Sequence, residues 1–271
     1  MPELPEVETV RRGIEPLLVG QTVARLICRV PKLRWEIDPE LNRKIANQKI
    51  NAVNRRAKYL LIHLDHSVLV VHLGMTGILR VLDASVEPLK HDHFDLIFHN
   101  GTCLRLNDSR RFGAIFLVDG KPEESPPFRY LGPEPLSANF NVEYLFARSR
   151  KCSGSVKSFL MNQKIVVGVG NIYACEALFA AGIDPRRAAH RISASRYEGL
   201  VRQVKAVLTE AIRQGGTTIR DFAGSDGKPG YFKQQLKVYG REGEPCVVCH
   251  EPIRNVRLAG RSTFFCPKCQ R

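Results

Sequence analysis

The stretch Phe94-Asp95-Leu96-Ile97-Phe98-His99-Asn100-Gly101-Thr102-Cys103-Leu104-Arg105-Leu106 decides the fold of the first half of this chain. Two short apolar runs flank an Asn-Gly pair. Asn and Gly tolerate the positive φ that a tight reversal needs, so the stretch reads as an antiparallel hairpin. The same texture extends in both directions. Thr22–Val30, Lys49–Asn54, Lys58–Leu64, Ser67–Leu73, Ile78–Leu82 and Ala114–Val118 are further short β-branched or apolar runs, which with the hairpin make eight strands. Gly, Asn and Asp punctuate several of them. Short strands at this spacing predict an antiparallel sandwich or barrel.

Upstream of the strands the period changes. Val7, Val10, Ile14, Leu17 and Leu18 recur at helical spacing, Glu6 and Glu8 favour the first turn and Gly20 ends it, which predicts a helix over Pro5–Leu18. Downstream, Gly132-Pro133-Glu134-Pro135 interrupts the pattern as a linker does. Helical runs follow at Val142–Arg150, Ser155–Asn162, Ile172–Ala181 and Ala194–Gln214. The last carries an apolar stripe of Leu200, Val201, Val204, Leu208, Ala211 and Ile212, which reads as core packing. Gly215–Gly230 is rich in Gly, Ser, Thr and Asp and reads as a loop. The expected organisation is α+β in two domains. A catalytic β-sandwich domain spans 1–131 and a linker 132–138. A helical region with the loop at about 215–230 spans 139–238, and a cysteine module 239–271.

Composition narrows the partner. The chain has 271 residues, of which 44% are hydrophobic and 8% aromatic, enough for packed cores and unlike a disordered tail. Its formal net charge is +14, and residues 228–271 alone carry nine Lys/Arg against three Asp/Glu. Such an excess repels itself unless a polyanion relieves it, so nucleic acid is the first expectation. A merely basic soluble protein and a binder of anionic membrane surfaces are the alternatives. No apolar run approaches the roughly 20 residues of a membrane span. The opening Met-Pro-Glu-Leu-Pro-Glu lacks the basic and apolar segments of a secretory signal, so a cytoplasmic protein without a membrane partner is expected.

Of eight cysteines, Cys28, Cys103, Cys152 and Cys175 are scattered and read as small hydrophobes in a reducing compartment. Cys246-Val-Val-Cys249 and Cys266-Pro-Lys-Cys269 differ. Two short knuckles separated by sixteen residues match the spacing of a four-thiolate zinc site with a hairpin between its halves. With every coordination position filled by sulfur, the ion has no place for a reacting water. One structural zinc and no catalytic cofactor are expected.

The chemistry-bearing candidates are individually ambiguous. A chain processed to begin at Pro2 would expose a secondary amine on a rigid ring. Amino termini have a pKa of about 7.7–8.0, so a useful fraction is an unprotonated nucleophile near neutrality. Glu3 and Glu6 lie close enough to handle protons, or simply favour the helix start. Lys58 begins an apolar strand and projects from the sandwich edge. Gly168-Val169-Gly170-Asn171 precedes a helix, either to cradle a phosphate or as a tight turn with Asn171 as N-cap. Arg261 sits near the tip of the cysteine module. In Asp108-Ser109-Arg110-Arg111-Phe112-Gly113 an Arg beside an aromatic in a turn suits a DNA wedge, and Met75 in Leu73-Gly74-Met75-Thr76-Gly77 is a second apolar tip.

In order along the chain, Pro2-Glu3-Leu4-Pro5-Glu6-Val7-Glu8-Thr9, Arg55-Arg56-Ala57-Lys58-Tyr59-Leu60, His91-Asp92-His93, Asp108–Gly113, Gly168–Ala174 and the four-cysteine module resemble the bacterial formamidopyrimidine-DNA glycosylases. The resemblance spans the chain. Leu4 sets it apart from the related endonuclease VIII enzymes, which carry Gly there. It implies a monomeric base-excision enzyme that excises 8-oxoguanine and formamidopyrimidines from damaged double-stranded DNA and cleaves the strand at the resulting abasic site, in a bacterial cytoplasm and associated with the nucleoid through DNA. It implies Pro2 as nucleophile, Glu3 as general acid, Glu6 as its support and Lys58 near the lesion. Lys157, Asn171 and Arg261 become phosphate contacts, with His91 and Arg111 as further backbone contacts. Met75, Arg110 and Phe112 become the trio that fills the space of an everted base. Arg220, where a relative carries Lys, and Tyr239 fall where the family closes over the extruded purine. The helices around Asn171 become a helix–two-turn–helix unit.

Overall fold

The computed structural model describes residues 2–215 and 236–271. The chain divides into two compact units, with the division in the first half falling between Arg129 and Tyr130.

The first unit holds all eight expected strands in two four-stranded antiparallel sheets. One has the order β1 (Val23–Cys28), β6 (Asp92–Phe98), β7 (Thr102–Asn107), β5 (Ile78–Asp83), and the other β2 (Ala52–Arg56), β3 (Tyr59–His63), β4 (Val68–His72), β8 (Ala114–Val118). The β6–β7 hairpin turns as its Asn-Gly pair requires. Gly101 has φ 84°, and the Asn100 side chain accepts the Thr102 N–H at 3.0 Å. Inward residues of both sheets share one core. Leu26, Leu79, Phe94, Leu96 and Leu104 from one face meet Val53, Leu60, Ile62, Leu69 and Ile115 from the other.

Helix α1 (Leu4–Leu18) adds Val7, Val10, Ile14 and Leu18 to that core. Leu17, which the periodicity assigned to the same stripe, is exposed. A short helix α2 (Leu41–Ile45) also contributes Leu41 and Ile45. It was not foreseen, because five residues carry too little periodicity to register.

The second unit contains α3 (Val142–Ser149), α4 (Val156–Leu160), α5 (Asn171–Ala180) and α6 (Ala194–Arg213), followed by the hairpin β9 (Arg254–Leu258) and β10 (Arg261–Phe265). Ser155 and Ser193 cap α4 and α6 with their hydroxyls, and Asn141 caps α3. Buried residues cover α5 all round, from Ile172 to Phe179, as expected of a helix central to its unit. The α6 stripe packs inward as the sequence indicated. Gly132 is required by proximity. A Cβ there would lie 2.6 Å from the Ile165 carbonyl oxygen. Among the described residues no helix is long and apolar enough to cross a membrane.

Candidate active site

The start of α1 concentrates buried carboxylates. Glu3 is its N-cap, in extended conformation, and the Glu3 side chain accepts the Glu6 N–H while Glu6 Oε2 accepts the Glu3 N–H at 2.8 Å. Glu3 is 2% exposed and Glu6 1%. This reciprocal box satisfies two donors that a helix start leaves without partners. Pro2, also buried, leads directly into it.

A further carboxylate fastens this corner to the sheet. Glu8 receives Arg11, Arg12 and, at 3.1 Å, Arg55 of β2. Burial pushes the Glu8 carboxyl up, but the hydrogen bonds from Arg11 and Arg12 and the charges of Arg11 and Arg55 outweigh it and hold the group below its ordinary value. Arg55 also donates to the Ala57 carbonyl at 2.9 Å. The beginning of α1 is therefore tied to the β2–β3 turn, where Lys58 sits. Lys58 is buried in that turn rather than projecting from a strand edge. Ala57 takes φ 55° to make the reversal in two residues. Next to it, Tyr59 stacks at a tilt on His72, 4.7 Å between ring centroids. Burial and the charges of Arg34 and Lys58 push the His72 imidazole down to about 4, so it is neutral at physiological pH.

The Met75 and Arg110–Phe112 turns lie against each other. At Gly74 a Cβ would fall 2.3 Å from the Phe112 carbonyl carbon, so only glycine allows the two backbones to touch there. Thr76 Oγ1 donates to Asp108 Oδ1 at 2.5 Å, and the Gly113 N–H donates to Asp108 Oδ2 at 2.7 Å. Phe112 is 45% exposed, with the Arg110 guanidinium 5.0 Å from its ring centroid. Met75 is half-buried, and Arg111 is exposed with φ 55°. His91 is half-buried, takes φ 73° and gives its carbonyl to the Asp108 N–H at 3.0 Å.

The remaining candidates belong to the second unit. Lys157 is 1% exposed. Its ammonium donates to the Ser262 carbonyl at 2.9 Å and to Thr263 Oγ1 at 2.7 Å, so it anchors β10 from below. Asn171 is the first residue of α5, and Gly170 occupies the N-cap position instead. Asn171 Nδ2 donates to the Ser262 carbonyl at 3.0 Å, while its Oδ1 is buried with no hydrogen-bond partner among the described residues. Tyr239 stands edge-on to Phe264 at 5.0 Å. Its backbone is fixed by Glu176 of α5, whose carboxylate accepts the N–H groups of Lys237, Val238 and Tyr239 at 2.9–3.0 Å. Arg261 is exposed and opens β10 immediately after a two-residue reversal in which Ala259 and Gly260 have φ 47° and 75°. Arg220 and the loop from 216 to 230 lie outside the described residues.

The four module cysteines converge, with their sulfurs all within 4.8 Å of one another. Cys246–Cys269 and Cys249–Cys266 are 3.9 and 3.4 Å apart. A tetrahedral ion with Zn–S bonds of about 2.3 Å needs edges of about 3.8 Å, so the set fits zinc. The Val248 and Cys269 N–H groups point at the Cys246 and Cys266 sulfurs, each at 3.4 Å, and would stabilise thiolates. All eight cysteines are unbridged. Cys103 and Cys175 are buried as anticipated, whereas Cys28 is exposed near the end of a strand.

Three family models match successive stretches of the chain. These are the formamidopyrimidine-DNA glycosylase N-terminal domain over residues 1–115, the formamidopyrimidine-DNA glycosylase H2TH domain over 131–223, and a zinc finger found in FPG and IleRS over 243–271. The formamidopyrimidine-DNA glycosylase of Alteromonas mediterranea is 55% identical over 271 residues, covering 100% of both chains. The chain belongs to the formamidopyrimidine-DNA glycosylase family. The crystal structure of the Thermus thermophilus MutM (Fpg) protein superposes with a TM-score of 0.89 at 40% identity, covering 99% of this chain and 98% of that one. Lactococcus lactis Fpg, solved in complex with DNA containing N7-benzyl-Fapy-dG, superposes with a TM-score of 0.91 at 35% identity, with both chains fully covered.

Within this formamidopyrimidine-DNA glycosylase fold several supporting residues escaped the reading of the sequence. Glu8 stood out only as a helix-start carboxylate, and nothing local tied it to Arg55. Asp108, His72 and Glu176 carry no local pattern that names their partners. Each acts through partners distant in the chain. A carboxylate inside an otherwise apolar run, as at Glu176, is the signal that could have flagged a buried hub.

Proposed function

We propose that the protein is a bifunctional DNA glycosylase and abasic-site lyase that removes oxidised purines, 8-oxoguanine and formamidopyrimidines among them, from double-stranded DNA. The buried Pro2-Glu3-Glu6 constellation at the head of α1 carries this reading. It supplies an amine after removal of Met1, the carboxyl of the adjoining Glu3, and a second carboxylate, Glu6, that holds the Glu3 main chain.

The basic groups dock on phosphates, with Asn171, Arg261, His91 and Arg111 as contacts and Lys157, buried and bonded to Ser262 and Thr263 here, reaching a phosphate by exchanging one of those bonds. Met75, Arg110 and Phe112 enter the stack as a damaged base is everted, and eversion costs least for a base already weakly held. Arg110 hydrogen-bonds the orphaned base. Arg220 and Tyr239 contact the extruded purine.

The Pro2 nitrogen lone pair then forms a bond to C1′ as the bond from C1′ to the base breaks, and the base leaves with a proton. Glu3 protonates the ring oxygen O4′, the sugar opens and an iminium joins Pro2 to C1′. That cation acidifies the C2′ hydrogen. Loss of this proton expels the 3′ phosphate, and a second elimination expels the 5′ phosphate. Water releases the sugar remnant and regenerates the amine. Lys58 stabilises the negative charge that gathers at the lesion. The zinc held by Cys246, Cys249, Cys266 and Cys269 keeps the finger folded. The protein works as a monomer, in the cytoplasm and on the nucleoid.

Borohydride reduction during reaction with an 8-oxoguanine duplex tests this directly. A covalent protein–DNA adduct mapping to Pro2 is expected, and Pro2→Gly should abolish it. An active protein that yields no adduct, or a Pro2→Gly variant as active as the parent, overturns the reading. A non-catalytic zinc-finger DNA binder would bind the duplex and release no base.

A further inference from the structure

Two turns of the first unit end on one carboxylate. Asp108 is fully buried. Its Oδ1 accepts the Thr76 hydroxyl at 2.5 Å and, more distantly, the Arg110 N–H at 3.4 Å, and its Oδ2 accepts the Gly113 N–H at 2.7 Å. Thr76 Oγ1 in turn accepts the Arg110 N–H at 3.2 Å. The backbone of Asp108 is clamped as well. His93 Nε2 lies 2.8 Å from the Asp108 carbonyl, which fixes the ring as the Nε2–H tautomer, and the Asp108 N–H donates to the His91 carbonyl at 3.0 Å. The turn bearing Met75 and the turn bearing Arg110 and Phe112 thus share one acceptor, itself immobilised from β6.

The arrangement has a mechanical consequence. Two exposed turns held only by their own strands would fluctuate independently, and an apolar tip and a guanidinium would meet DNA in many relative positions. A buried carboxylate forfeits its hydration, and the hydrogen bonds that offset this loss come from both turns at once. Neither turn moves without breaking a bond to the other. The backbone contact at Gly74 closes the remaining slack.

We propose that Asp108, acting through Thr76, is the positioning residue that joins the Met75 and Arg110–Phe112 turns into one rigid probe, and that discrimination of the base opposite the lesion depends on this joint. The inference rests on the reading of Met75, Arg110 and Phe112 as the residues that enter DNA. Thr76 does not touch the substrate in this scheme. Its effect is on the register of Arg110 with the orphaned base.

The test compares kcat/KM for 8-oxoguanine opposite C with that opposite A, using the full-length zinc-loaded protein. Thr76→Val keeps the side-chain volume and removes the hydroxyl. It should lower the C-over-A ratio by about tenfold, the loss expected for one buried charge-assisted hydrogen bond. Affinity for undamaged duplex should stay at the parental value. Thr76→Ser restores the hydroxyl and should restore the ratio, which a purely volumetric role would not require. Thr76→Ala supplies the same comparison should the valine methyl disturb the fold, and melting curves establish that each variant is folded. A parental ratio in folded Thr76→Val or Thr76→Ala overturns the proposal, as does failure of Thr76→Ser to recover it. Arg110→Ala separates the two levels. If it blurs the ratio while the Thr76 variants do not, only the joint is wrong. If it also leaves the ratio unchanged, the reading of the wedge itself fails.

Discussion

Glu6 Oε2 accepts the Glu3 backbone N–H at 2.8 Å while the Glu3 side chain accepts the Glu6 N–H, so each carboxylate holds the other's main chain. The pair is a helix cap whose two members are also the acidic groups beside Pro2. Stability and chemistry are therefore coupled in one motif. Glu6→Ala removes one half of the box and should cost about 1 kcal/mol of stability, as other caps do. The freed Glu3 should slow strand cleavage much more than it weakens binding to an abasic-site duplex. Thermal melting and single-turnover cleavage check the two effects separately, and equal losses in binding and cleavage would contradict the coupling.

Glu176 is expected to control Tyr239 without touching DNA. Its carboxylate accepts three consecutive N–H groups, from Lys237 to Tyr239. Glu176→Gln leaves one acceptor oxygen and sets an amide against donors. The cost should be on the order of 1–3 kcal/mol, seen as a lower urea midpoint. Weaker retention of a duplex carrying an 8-oxoguanine should accompany it, because Tyr239 loses its fixed backbone. Urea titration and gel-shift measurements with lesion and undamaged duplexes provide the check.

Much of the fold was legible because its signals are local. The Asn100-Gly101 hairpin, the α6 stripe and the paired cysteine knuckles each declare themselves within a few residues, and each stands where the sequence put it. The reading faltered where long-range partners decide. Asn171 yielded the cap position to Gly170 because its amide is drawn to the Ser262 carbonyl, far along the chain. Lys58 lies in a turn because Arg56 pairs with Tyr59, a register that neither residue announces. Lys157 shows no sign in sequence of being a buried ammonium bonded to β10.

The buried imidazole of His72 makes stability depend on acid. Burial, with the charges of Arg34 and Lys58, holds its folded pKa at about 4 against 6.5 for the exposed ring. Between these values the unfolded chain binds the proton and the folded protein does not. The contribution is complete above pH 6.5 and is lost progressively as pH falls toward 4, by up to about 3 kcal/mol. Urea midpoints measured from pH 7.5 to 4.5 should fall accordingly. His72→Asn does not titrate and retains an oxygen near the position of Nδ1, which accepts the Gly74 N–H at 3.0 Å. It should flatten part of that decline, and an unchanged slope would contradict the assignment.

Zinc removal should act on the finger and spare the β-sandwich. The core around the β9–β10 hairpin is small, a cluster of Val238, Ile253, Cys246 and Cys266 with Cys175 and Phe179 of α5, against which Tyr239, Phe264 and the other two finger cysteines pack. Without the ion, four thiols gathered within 4.8 Å have nothing to hold them together. Cys249→Ser, or prolonged chelation of the parent, should release β10 from Lys157 and Asn171, whose donors end on Ser262 and Thr263. Arg261 then loses its fixed place. DNA affinity should drop by at least tenfold, on the order of 1.4 kcal/mol. Amide exchange should stay slow in the eight strands of the first unit and become fast from residue 246 onward. Stoichiometric zinc loss with unaltered DNA affinity would show that the finger is not part of the grip.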